Sequence, residues 1–297
     1  MNWKNGLVPL RTKKAVFTNY LESLAEGTEF NITSLPKVNR LLRGMERQKL
    51  IIIGARPSEG KTAFMMQLAW DLSLGKKVVI VSLETTYEEA MLRLYCHSQK
   101  VPNTSVFENA KACSTTKFYK QLDEEKRQLV FIEQFGMTVK EISELMEEIK
   151  DNKPDILFLD YLQCIKGQRK LEVLDDYIIS LRNLAIQQNI CIVLCSQINR
   201  MNISDNKEPN MLGLKGSGVI EESADKIIIL HYPCKLNRGE SNNKKFRVFI
   251  DKNKNGMTGY VDIKFEPDIY TFSEEIETKD KLDSPANFQE TQDQWET

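Results

Sequence analysis

Short apolar runs recur along the chain, each closed by a polar residue and followed by a stretch whose apolar positions fall at helical spacing. Leu50–Ile53, Lys77–Leu83, Leu129–Glu133, Ile156–Asp160, Ile190–Ser196 and Lys226–His231 are the runs. Continuous rather than alternating apolarity marks strands covered on both faces. Between them lie predicted helices. Ala63–Leu74 is stopped by Gly75, and a helix to about Ser98 is capped by Thr85 or Thr86, with Glu88 or Glu89 completing a capping box. Thr138–Lys150 carries Thr138 and Glu141 as a capping box and Val139, Ile142, Leu145, Met146 and Ile149 on one face, and Leu171–Gln188 is a longer helix. Strands alternating with helices predict an α/β fold, a mostly parallel central sheet with helices on both faces. Right-handed crossover makes the first two strands parallel.

The remaining segments frame this unit. Thr12–Ala25 places Val16, Tyr20, Leu21 and Leu24 at helical spacing, a short amphipathic helix that either packs on its own domain or docks on a neighbouring subunit. Leu35–Gly44 reads as a second short helix, residues 101–127 lean helical, Asn199–Leu214 is loop and Ser217–Ala224 a short helix. Phe246–Asp251 and Gly259–Phe265 form an antiparallel hairpin around Asn255-Gly256. The expected division is a linker arm over 1–32, the α/β domain over 33–272 and an acidic, structureless tail over 273–297.

The most specific chemistry follows the first strand. Ala55, Arg56, Pro57, Ser58, Glu59, Gly60, Lys61 and Thr62 read as a P-loop with Ala in place of its first glycine. Loop N–H groups converge on phosphates at the N-terminus of the next helix, Lys61 supplies charge and the Thr62 hydroxyl suits Mg²⁺. ATP and Mg²⁺ are therefore the expected ligands. In an open α/β sheet the site lies beyond the carboxyl ends of the strands. Asp160 closes a strand in the Walker B manner, where it suits Mg²⁺. Glu84 closes another, placed to orient and deprotonate attacking water, and Gln197 closes a third as a γ-phosphate sensor.

Composition narrows the setting. Of 297 residues, 41% are apolar and 28% charged, as in ordinary globular proteins. No run approaches the ~18 apolar residues of a membrane span and the polar N-terminus does not resemble a signal peptide, so a cytoplasmic location is expected. The net charge of −1 covers a basic first segment, with Lys4, Arg11, Lys13 and Lys14, and a tail in which acids outnumber lysines. Any nucleic-acid site must then be a local patch. No C-x-x-C pair occurs, Cys191 and Cys195 fall in an apolar run, and His97 and His231 stand alone, so no zinc or redox centre is signalled.

Ser82–Glu84 (SLE), Leu159–Gln163 (LDYLQ), Ser196–Arg200 (SQINR), Leu214–Asp225 (LKGSGVIEESAD) and Lys252–Gly259 (KNKNGMTG) occur in the order found in the ATPase domain of DnaB-family replicative helicases. The chain resembles that family over roughly 33–272, as a phage or plasmid member that would act in the bacterial host cytoplasm if phage-encoded. The resemblance implies a RecA-like P-loop NTPase that forms a hexameric ring on single-stranded DNA, binds ATP between subunits and moves 5′→3′ to unwind a forked duplex. It implies Lys61 and Thr62 at the phosphates and Mg²⁺, Glu84 as base, Asp160 as the Walker B carboxylate and Gln197 as sensor. Lys252 and Lys254 match the basic pair sent into the neighbour's site, although the family usually has Arg where Lys254 stands. Two loops would face DNA, one with Lys166, Arg169 and Lys170, the other running from Lys207 through Lys215, Gly216, Ser217 and Gly218. Here the family often shows Arg-Glu in place of Lys215-Gly216. An N-terminal domain that contacts primase is usual in the family and does not precede this motor, which resembles motor plus linker, as a naturally short or a truncated homologue. Primase and a helicase loader are the partners implied. The competing readings are a RecA/RadA-type recombination ATPase and a nucleotide-controlled DNA-binding or loading module with little turnover.

Overall fold

A computed structural model of the chain describes residue 18 and residues 29–162, 171–198, 208–214, 217–233 and 245–275. Apart from Thr18, the Thr12–Ala25 helix lies outside them. The helices are α1 (Pro36–Leu42), α2 (Lys61–Leu72), α3 (Tyr87–Gln99), α4 (Asn103–Glu108), α5 (Thr115–Glu124), α6 (Val139–Glu148), α7 (Leu171–Gln187) and α8 (Ser217–Ser223). The apolar runs become β1 (Lys49–Ala55), β2 (Val78–Ser82), β3 (Leu129–Glu133), β4 (Ile156–Asp160), β5 (Cys191–Gln197) and β6 (Lys226–His231). These six are parallel, in the order β3-β2-β4-β5-β1-β6. β7 (Lys245–Asn253), β8 (Gly259–Glu266) and β9 (Thr271–Ser273) extend the sheet antiparallel beyond β6. β1 and β2 are parallel, as expected, but β4 and β5 lie between them, which sets the strand before the P-loop mid-sheet.

The pleat divides the apolar runs between two cores. Ile51, Ile53, Ile80, Phe158 and Val193 face α2, α3 and α5, whereas Leu50, Ile52, Val81, Leu159 and Leu194 face α6, α7 and α8. Both faces are covered, which is why the strands carry almost no polar residue until their last position. Thr138 and Glu141 form a complete capping box on α6, and Thr86 rather than Thr85 caps α3, accepting Glu89 N–H at 3.4 Å.

Two details differ from the sequence pattern. The hairpin connection is longer than an Asn-Gly pair, because β7 runs to Asn253 and β8 starts at Gly259. A Cβ on Gly256 would lie 2.4 Å from Asn253 Nδ2. That amide is engaged with the carbonyls of Leu41 and Leu42 at the end of α1, so it has little freedom to move. The expected tail from 273 also begins two residues too early. Phe272 in β9 packs 4.2 Å from Phe265 and 5.2 Å from Phe64, centroid to centroid. Gln67 of α2 bonds both backbone groups of Phe272, at 2.7 and 2.9 Å. Glu274 accepts the N–H groups of Lys37 and Val38 at 2.7 and 2.9 Å and so caps α1. One aromatic and one acid in a polar stretch give no periodicity for a sequence reading to detect. Among the described residues no helix is long and apolar enough to cross a membrane.

Candidate nucleotide site

β1 ends at Ala55 and α2 begins at Lys61, with the P-loop between them. Gly60 adopts φ +83° as the residue before α2, a conformation that disfavours any side chain, and α2 has neither an acid nor a side-chain cap in its first turn. The N–H groups there remain directed at an incoming anion. Thr62 Oγ1 donates to Asp160 Oδ2 at 2.7 Å, and Lys61 Nζ lies 3.4 Å from Asp160 Oδ1. Asp160 is buried, and Lys61 Nζ also sits 3.8 Å from the centre of the Tyr161 ring.

Register explains the convergence. Ala55 is level with Gln197, and Ser82 is level with Asp160, while Leu83 N–H donates to Asp160 O at 2.8 Å. The strands therefore stop along one edge, and Glu84, Asp160 and Gln197 emerge there beside the P-loop. A cleft of about 490 Å³ is lined by Ala55, Arg56, Pro57, Ser58, Gly60, Lys61, Thr62, Glu84 and Gln197. Glu59 is the loop residue turned away from it. Its side chain is buried, with Oε1 3.9 Å from Arg56 Nη1 and 4.0 Å from His231 Nδ1. Burial first, then Arg56, pushes the His231 imidazole down to about 4. The donors facing the cleft are hydroxyl and carboxylate oxygens, the hard set that Mg²⁺ takes when phosphates and water complete it.

The same cleft has walls that sequence reasoning missed. Arg93 of α3, Tyr161, Phe265, Pro267 and Tyr270 line it. Arg93 Nη1 is buried without a hydrogen-bond partner, and its guanidinium lies 6.0 Å from the centre of the Tyr270 ring. No motif marks these positions. Tyr270 reaches the cleft only because β9 folds back on β8, and Arg93 is one basic residue in an amphipathic helix.

Lys252 and Lys254 are not in this cleft. β7 runs antiparallel to β6, so Asn253 is level with Lys226, Lys226 with Ile51, and Leu230 with Ala55. The basic pair thus lies at the opposite edge of the sheet from its own P-loop, about 13 Å away along β1 at the usual rise per residue. Lys252 Nζ bonds the carbonyl of Glu221, and burial, then Lys254, lowers its pKa. Of the residues expected to face DNA, Lys166, Arg169, Lys170, Lys207, Lys215 and Gly216 lie outside the described residues. Ser217 opens α8, and Gly218 behind it is exposed, with open space where a Cβ would stand.

The sequence model of the DnaB-like helicase C-terminal domain matches residues 32–274. The chain belongs to the DnaB-like helicase C-terminal domain family. Among relatives, the replicative DNA helicase DnaB of Haemophilus influenzae is 27% identical over 269 residues, covering 84% of this chain and 56% of that protein. A probable plasmid replicative DNA helicase of Chlamydia trachomatis is 29% identical over 252 residues, covering 77% and 51%. The chain therefore spans about half the length of the helicases it matches. Two solved structures share the fold at a TM-score of 0.77 and 23% identity, over 89% of this chain. One is a DnaB-like replicative helicase studied with primase, 67% covered, and the other an ATPase domain solved by itself, 98% covered. The DnaB-like domain is thus a RecA-like α/β fold, and its P-loop, strand order and antiparallel extension belong to one architecture.

Proposed function

We propose that this chain is the ATP-hydrolysing motor of a replicative DNA helicase, working in the cytoplasm as a ring, hexameric by resemblance, that moves 5′→3′ on single-stranded DNA and unwinds a forked duplex. Family membership supports a helicase over a recombination ATPase. Two observations support turnover over passive binding: a carboxylate, Glu84, stands beside the phosphate loop, and buried Asp160 is bonded to Thr62.

In this reading the P-loop N–H groups and Lys61 hold the β- and γ-phosphates. Thr62 and Asp160 hold Mg²⁺, which when bound neutralises charge on the phosphate oxygens. Glu84, exposed at the end of β2, orients a water and takes its proton as that water attacks the γ-phosphorus. Gln197, on the strand beside β1, reads the γ-phosphate through its amide. Arg93 and Tyr270 flank the part of the cleft that suits a planar base.

The observation that carries the ring is the placement of Lys252 and Lys254 at the far sheet edge, where they cannot serve their own nucleotide. They complete the site of the next subunit, so a lone chain holds two half-sites. The residues around Ser217 and Gly218, with Lys166, Arg169, Lys170, Lys207, Lys215 and Gly216, are the proposed DNA contacts, and a primase and a loader the proposed partners. Unwinding of a forked duplex with and without ATP tests this reading, with Lys61→Ala as control and assembly followed by mass. ATP-dependent strand separation by a ring is expected, and DNA binding with negligible turnover would refute it.

A further inference from the structure

The far edge of the sheet carries an arrangement that the reaction scheme does not use. Asp225, between α8 and β6, is buried to 4% side-chain exposure. Its N–H donates to Leu50 O at 2.8 Å, and its Oδ2 accepts Leu50 N–H at 2.9 Å, so it is fastened to the strand that leads into the P-loop. Its other oxygen serves two cations. Arg182 Nη2 on α7 donates to Oδ1 at 3.1 Å, and Lys254 Nζ approaches the same Oδ1 at 3.5 Å. Lys254 is further anchored through its N–H on Asp225 O at 3.0 Å.

The two cations are not equivalent. Arg182 is 22% exposed and steadied by a second bond, Nη1 to Gln48 O at 2.7 Å, whereas the Lys254 side chain is 41% exposed. A buried carboxylate left without a cation is strongly unfavourable. Were Lys254 alone there, drawing it out to a phosphate would strand that charge. With Arg182 on the same oxygen, Lys254 can leave while the carboxylate stays neutralised. A lysine suits this, since a point charge on a flexible stem gives up one contact where an arginine fork gives up two.

We propose that Asp225 and Arg182 are positioning residues for Lys254: Asp225 docks the ammonium at the interface edge, and Arg182 sets how readily it is released to the neighbouring subunit's nucleotide. This rests on the shared-site reading above. Because Asp225 is also bonded to Leu50, the dock is built on the strand that carries the subunit's own P-loop.

The test has two parts, both on the full chain. In thermal melts, Lys254→Ala should shift Tm little, and the shift of Lys254→Ala with Arg182→Gln should exceed the sum of the separate shifts. Additive shifts would overturn the shared-oxygen dock. In mixed assemblies, Lys254→Ala subunits, which keep Glu84, are combined with Glu84→Gln subunits, which supply the finger. Placing Arg182→Gln on the finger donor should cut the recovered kcat by roughly fivefold to tenfold with KM for ATP unchanged, since the ammonium is then held harder. Asp225→Asn on the donor should recover at least as much turnover as the parent pair. Equal loss from both changes would mean a merely structural role and would refute the dock. Absence of rescue by the parent pair would refute the shared site itself, and the dock with it.

Discussion

Thr62 Oγ1 and Asp160 Oδ2 are joined by a 2.7 Å hydrogen bond, tying the first turn of α2 to the last residue of β4. With Lys61 Nζ 3.4 Å from the other carboxylate oxygen, three residues from two distant segments form one charge-balanced cluster. The cluster gives the phosphate loop a fixed floor, and it explains why β4 must end in an acid.

Hydrolysis should separate the roles in this cluster from that of Glu84. Lys61→Ala is expected to abolish ATP turnover by weakening nucleotide binding. Glu84→Gln should lower kcat by roughly 10²–10⁴ while nucleotide still binds, the usual range for a general base. Steady-state kinetics with a nucleotide-binding assay check both, and normal turnover in Glu84→Gln would remove it from the mechanism.

Arg93 and Tyr270 touch the cleft away from the P-loop end. Arg93→Ala or Tyr270→Ala should therefore raise KM for ATP, by about tenfold for the loss of a desolvated stacking or cation contact, with little change in kcat. A fall in kcat at constant KM would place these residues at the reacting phosphate instead.

Acid should unfold this domain earlier than its carboxylates alone require. Burial, then Lys100, holds His97 at about 4, with Nδ1 2.9 Å from Thr271 Oγ1, and burial, then Arg56, holds His231 at about 4. Between the ordinary histidine pKa and 4, the unfolded chain binds protons that the folded chain does not. Stability is then complete above about pH 6.5 and declines as pH falls toward 4. Melting temperature against pH should show that slope, and His97→Gln should flatten part of it. A Tm independent of pH across this window would contradict the burial argument.

Much of this molecule was legible in its sequence because the chemistry sits where buried strands stop. Glu84, Asp160 and Gln197 each terminate an apolar run, and the pairing of Ala55 with Gln197 and Ser82 with Asp160 turns those sequence positions into one edge. β9 was not legible. Phe272 is a lone aromatic before an acidic stretch, and only its packing on Phe265 and Phe64 reveals a strand. Arg93 was equally silent, because its place in the cleft depends on how α3 lies against the turn before β9. Asp225 stood in a recognised block, yet its bonds to Leu50 and Arg182 join segments whose sequence separation carries no signal.

The central claim is that one chain supplies half of two different sites. Mixing Lys254→Ala subunits with Glu84→Gln subunits and measuring ATP hydrolysis tests it most directly. Each variant alone should be nearly inactive, and the mixture should regain turnover, because some interfaces then pair an intact Glu84 with an intact Lys254. A mixture no more active than its components, at a composition where mass shows mixed rings, would contradict the shared site.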